Sequence, residues 1–152
     1  MAKERQSATT ATKEQTMSDL ITVSVTRIVN ASCDKAWRAE TEPRYFEQWF
    51  GAKPGSVRAD LRTGGTWSAT VTPGGQEVEL EGRYVEVVEN RRVVMTIPNG
   101  PEMLDVAVDF TDLGDGRTEV TTSTRVAAEA KAIVEETAGG ILAEVAKIAE
   151  AL

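Results

Sequence analysis

Residues 128–152 read AEAKAIVEETAGGILAEVAKIAEAL. Val134, Ala138, Ile141, Leu142, Val145, Ile148, Ala149 and Leu152 recur at i, i+3, i+4 and i+7, the period of one apolar helix face. At ~1.5 Å per residue, about 25 residues make a rod of roughly 37 Å. Gly139-Gly140 interrupts the pattern at a cost of roughly 2 kcal/mol relative to alanines. Either the rod kinks there into two shorter helices, or a strand or ligand must approach its backbone closely.

The chain ahead of this segment has the texture of strands. Leu20–Val29 alternates Ile21, Val23 and Val25 against Thr22, Ser24 and Thr26, a period of two. From Ser56 onward, SVRADL, TWSATVT, a long run from Gln76 to Glu89, RRVVMTIP, EMLDVAVDFTD and RTEVTTSTRVA follow one another. The turns RTGG, PGG and LGDG separate several of them. Trp67, Ala69 and Val71 share one face, and Leu104, Val106, Val108 and Phe110 share another, with Asp105 and Asp109 opposite. Gly82 is placed where a bulge could re-aim its strand.

Between the first strand and the rest lie two short helical segments. Ser32 is a suitable N-cap, Asp34 favours the first turn, and Ala36 and Trp37 face inward. Pro43 ends that helix near Thr41 and opens the next one, which Gly51 closes. The order β–α–α, six further strands and a final helix predicts an α+β fold. Its curved antiparallel sheet of about six to seven strands must be covered by one long helix. A single cylinder cannot fill a concave surface, so a hollow is expected between them.

The second short helix carries RYFEQWF (44–50), with four of the chain's eight aromatic residues. Phe46, Trp49 and Phe50 fall on one face at i, i+3 and i+4, with Tyr45 beside Trp49. They form a wall or lid over the hollow, or core packing at the sheet's end; both describe one surface. Trp37, Trp67, Tyr84, Val106, Val108, Phe110, Thr122, Thr124, Ile141 and Val145 complete the expected cavity wall. Thr122 and Thr124 either point hydroxyls into it or bond across strands.

Composition bounds the rest. A chain of 152 residues supports one domain, expected over 19–152 after a polar, disordered tail at 1–18. Met17 could be the true start; a transit peptide is the rival reading, against which Glu4 and Glu14 count. No apolar run approaches the ~20 residues of a membrane span, and a cytoplasmic location is the default expectation. A net charge of −7 argues against nucleic acid as a partner. The absence of histidine excludes Ser-His-Asp and Cys-His catalysis and histidine-ligated metal, so no metal or cofactor is expected.

Several motifs together resemble the START/SRPBCC superfamily, the helix-grip fold of birch-pollen allergens and polyketide cyclases. The branch they resemble is the one named for the activator of heat-shock protein 90 ATPase. They are RIVNASCDKAW, TEPRYFEQWFG, DLRTGGTW (with Asp60, Arg62, Gly64, Gly65 and Trp67) and GRYVEVVENRRVV. The resemblance covers about residues 20–152. It departs at Gly139-Gly140-Ile141, where many members carry Gly-Trp; losing that indole should enlarge or reshape the cavity. Full-length chaperone activators carry an N-terminal domain for which this chain shows no counterpart.

The function this implies is binding of a small hydrophobic or amphipathic molecule in the hollow. One alternative is a cyclase-, aromatase- or hydrolase-like enzyme in the same cavity. Catalytic residues are not identifiable; Glu86, sharing strand parity with Tyr84, is the candidate carboxylate. A second alternative is a co-chaperone-like ATPase activator with a chaperone partner. A homodimer is possible through an edge strand or the long helix. Cys33 reads as a tolerated small residue, Glu77, Glu79 and Glu81 as facing water, and Asp60–Arg62 as an ion pair at the GG turn.

Overall fold

The computed structural model describes residues 20–99 and 101–152, so the tail expected at 1–18 lies outside the described residues. The elements are β1 (Ile21–Val29), α1 (Cys33–Thr41), α2 (Pro43–Phe50), β2 (Arg58–Ala59), β3 (Thr66–Val71), β4 (Val78–Val88), β5 (Arg92–Asn99), β6 (Glu102–Gly114), β7 (Arg117–Val126) and α3 (Lys131–Glu150). The strands form one antiparallel seven-stranded sheet in the order β1-β7-β6-β5-β4-β3-β2. Returning β7 to pair with β1 places the chain's first strand beside its last, so α1 and α2 are inserted at one end of the sheet. Among the described residues no helix is long and apolar enough to cross a membrane.

The short helices begin and end where local chemistry dictates. The Ser32 hydroxyl accepts from the Lys35 amide at 3.4 Å, capping α1. Pro43 occupies the first turn of α2, and Gly51 ends it with φ +75°, a left-handed conformation that costs glycine little. On α1 the buried positions are Ala36, Trp37, Ala39, Glu40 and Thr41. That stripe follows the helical period and turns one face into the core.

The helix α3 runs unbroken through Gly139-Gly140, so the expected kink is absent. Its twenty residues are preceded by a short 3₁₀ turn at Ala128–Ala130. Leu142, Val145, Ala146, Ile148 and Ala149 are buried, all in its C-terminal half, where it packs against β1, α1 and α2. An amide of Asn30, just beyond β1, donates to the Glu150 carboxylate at 2.9 Å and ties the end of α3 to the sheet.

Candidate functional site

The aromatic residues of α2 turn inward, as their spacing predicts. Phe46 and Trp49 are buried and Phe50 half-buried. Their rings pack on one another and on Trp67 of β3, with centroid separations of 4.5–5.9 Å in tilted and edge-on arrangements. Trp37 meets Phe110 edge-on at 5.4 Å. The α2 rings and Trp67 therefore form one packed aromatic wall, and Trp37 with Phe110 a second pair.

The seat of Trp67 explains Gly82. Its indole Nε1 donates to the Thr96 carbonyl at 3.0 Å across the top of Gly82. A β-carbon at Gly82 would collide with both that carbonyl and the indole, so only glycine permits the approach. The expected bulge at Gly82 is thus absent; the register shifts between Tyr84 and Glu86 instead. Gly65, in the GG turn, would likewise drive a β-carbon into the Asp60 carbonyl.

That shift overturns the reading of Glu86. The inserted residue moves it to face Val94 rather than the inward Met95 that Tyr84 faces. Glu86 is exposed on the outer surface, where Arg92 bonds it at 3.0 Å while also gripping Asp109 at 2.7 Å. Counting alternate residues along a strand fails beyond a bulge.

The carboxylate inside the molecule is Glu40. It lies three residues after Trp37 and four after Ala36, so the helical period itself points it inward. It is 5% exposed, its Oε2 has no hydrogen-bond partner, and burial pushes its pKa up to about 7. Tyr84, 1% exposed on strand β4, also carries a hydroxyl without a partner. Burial raises the Tyr84 pKa, and the nearby Glu40 charge raises it further. The backbone carbonyl of Glu40 accepts from Trp49 Nε1 at 3.3 Å, which anchors the aromatic wall to this point of α1.

The three buried threonines are satisfied, while Asn90, in the turn between β4 and β5, keeps a buried Oδ1 without a partner. Thr41 Oγ1 donates to the Trp37 carbonyl at 2.7 Å, and Thr118 Oγ1 to the Ala31 carbonyl at 2.8 Å. Thr124 Oγ1 donates to the Asp105 carbonyl at 2.9 Å, so its hydroxyl is engaged with backbone and not with Thr122. Thr122 is half-buried on the same inward face of β7, as are Val106 on β6 and Ile141 on α3. Val108, Phe110 and Val145 are buried in the core.

Open space lies along α3. No residue from 131 to 140 is buried, and a β-carbon built on Gly139 or Gly140 would meet no atom within 4 Å. The close backbone neighbour expected there is not present among the described residues. A depression of about 390 Å³ also opens on the outer surface around Arg58, Asp60, Ser68, Glu79 and Glu81. Its polar, charged rim is unlike an apolar ligand site. Glu77 bonds Lys53 at 2.8 Å and Arg62 bonds Asp60 at 2.7 Å, all exposed, in keeping with their expected surface roles. Cys33 is half-buried, within 3.5 Å of the Thr118 hydroxyl. Among the described residues no group of three potential ligands is placed to hold a metal ion.

A seven-stranded antiparallel sheet closed over by a C-terminal helix, with two short helices after the first strand, is the helix-grip, SRPBCC-type fold. Residues 30–152 match the family described as Activator of Hsp90 ATPase homolog 1-like protein, and the chain belongs to that family. No curated protein matches it. Among solved structures, a Nitrosomonas europaea protein superposes with a TM-score of 0.70 at 21% identity, covering 86% of this chain and 94% of that one. A Staphylococcus aureus protein of unknown function gives 0.72 at 18% identity, over 87% and 94% of the two chains. CalU16 from Micromonospora echinospora gives 0.68 at 17%, over 86% and 76%. At such identities the likeness concerns the fold.

Proposed function

We propose that the chain binds a small hydrophobic or amphipathic molecule between the sheet and α3, against the aromatic wall of α2 and β3. One observation carries the reading: Glu40 Oε2 and the Tyr84 hydroxyl are both buried without partners. An unpaired buried carboxyl costs several kcal/mol of folding free energy in principle, and a ligand that bonds it recovers part of that loss. The half-buried Val106, Thr122 and Ile141, with the bare backbone of Gly139 and Gly140, supply the side through which a molecule enters. A few polar groups in an apolar surround are the usual composition of a small-molecule site.

The test is a thermal-shift screen of small apolar and amphipathic compounds, with native mass spectrometry of the purified protein to detect a retained molecule. A ligand at ~100 times its Kd stabilises by about 2.7 kcal/mol, a clear rise in melting temperature. A screen in which no apolar compound raises it, together with a molecule-free mass spectrum, would reject the proposal.

A further inference from the structure

Four polar residues are buried in the described core: Glu40, Thr41, Thr118 and Thr124. The three threonines each donate to a backbone carbonyl, at 2.7, 2.8 and 2.9 Å. Glu40 alone keeps an oxygen without a bond. The cations nearest to it in sequence do not serve it. Arg38 bonds Glu42 at 2.8 Å and Arg44 bonds Glu42 at 3.2 Å, both on the surface. Glu42 is thus an acid supplied with two cations, while Glu40, two residues earlier, has none.

The surroundings of Glu40 are suited to a positive charge. The Tyr84 hydroxyl can accept a bond from an ammonium group while the carboxylate accepts another. Trp49, whose indole Nε1 bonds the Glu40 main-chain carbonyl at 3.3 Å, belongs to an aromatic cluster, and a desolvated cation is attracted to aromatic rings. A net charge of −7 raises the local concentration of cations around the whole molecule.

We propose that the interior selects an apolar molecule bearing a protonated amine, its ammonium group seated against the Glu40 carboxylate and the Tyr84 hydroxyl. The inference rests on the reading that the interior binds a small apolar molecule, and it adds the chemical class. A neutral alcohol of the same shape can bond one of the two oxygens but leaves a buried carboxylate without a counter-charge. A carboxylic acid is excluded by repulsion from Glu40.

A matched set of three probes separates the possibilities: 2-aminoindane, 2-indanol and the parent hydrocarbon indane, titrated by calorimetry near neutral pH. The wild-type protein is expected to bind the amine about 30-fold more tightly than the alcohol, the yield of a bond to a buried charge. In Glu40→Gln that preference collapses to near parity, and in Tyr84→Phe it shrinks several-fold. Glu86→Gln, on the outer surface, keeps the full preference. Equal affinity of amine and alcohol for the wild type overturns the amine class while leaving apolar binding in place. Retention of the preference in Glu40→Gln overturns the seat. Failure of all three probes to bind overturns this inference, while the compound screen and mass spectrum decide the reading beneath it.

Discussion

At the end of the sheet covered by α1 and α2, Trp37, Phe46, Trp49, Trp67, Tyr84 and Phe110 are all buried, with Phe46, Trp49 and Trp67 in one ring cluster and Trp37 paired with Phe110. In the N-terminal half of α3 no residue from 131 to 140 is buried, and on the sheet the inward positions Val106 and Thr122 are only half covered. One helix face and one sheet face thus meet tightly at one end and loosely at the other. The difference follows from supply: the tight end has three helices contributing side chains, whereas the loose end has one helix with two glycines. The tight end also holds the unpaired carboxyl of Glu40. A rigid, dry surround can keep a polar group desolvated, while a loose edge can admit what would pair with it.

The largest expected effect lies at the tight end. Trp67→Ala removes an indole that is 1% exposed, its bond to the Thr96 carbonyl and its contacts with Phe46 and Phe50. The loss should be about 3–5 kcal/mol in urea unfolding. Val134→Ala, on the half-buried stretch of α3, should cost about 1 kcal/mol or less. Comparable losses from the two substitutions would dissolve the distinction between the ends.

The next effect concerns charge. In the folded chain burial raises the Glu40 pKa to about 7, above its ordinary 4.5. Tyr84 on β4 is the titratable neighbour that registers its charge. Below the ordinary value both folded and unfolded chains carry the proton, and Glu40 imposes no charge penalty. As pH rises from there through about 7, the unfolded chain releases its proton first and folding loses stability. Above that window the penalty is complete, on the order of 3 kcal/mol. Glu40→Gln is neutral throughout. It should match the wild type in stability near pH ~4 and exceed it by up to about 3 kcal/mol near pH ~8. Denaturant midpoints across that range measure the difference; parallel pH profiles for the two proteins would place Glu40 in water after all.

The periodicities on which both ends rest can be read from the amino-acid chain. Ser32, Pro43 and Gly51 mark the bounds of α1 and α2, and the alternation of β6 and β7 assigns their inward faces correctly. Glu40 was equally present in that pattern, at i+3 and i+4 from Trp37 and Ala36. A charged residue on a helix is ordinarily solvent-facing, and only the folded chain reveals that nothing pairs with the buried Glu40 oxygen. The outward position of Glu86 is illegible for a different reason. A bulge has no reliable residue signature, and past it the count of alternate residues points to the wrong face. Gly82 looked like the bulge, yet its role is to let Trp67 reach Thr96, a contact between three strands that no local pattern encodes.

The smallest effect belongs to the glycine pair, and it bears most directly on why one end is loose. Each glycine lies inside a continuous helix, and neither has a neighbour that a β-carbon would touch within 4 Å. Gly139→Ala and Gly140→Ala should therefore each stabilise the free protein by about 1 kcal/mol, the difference in helix propensity. If a bound molecule lies against this bare backbone, the same methyl groups will intrude on it. The double variant should then melt higher than the wild type without ligand and gain less from an added apolar ligand. Thermal shifts with and without a hit from the compound screen measure both quantities. A double variant stabilised equally in both conditions would show that the ligand keeps clear of α3, and the entry side would have to be sought elsewhere along the half-covered face. One destabilised without ligand would mean that α3 packs more closely there than its open surroundings indicate.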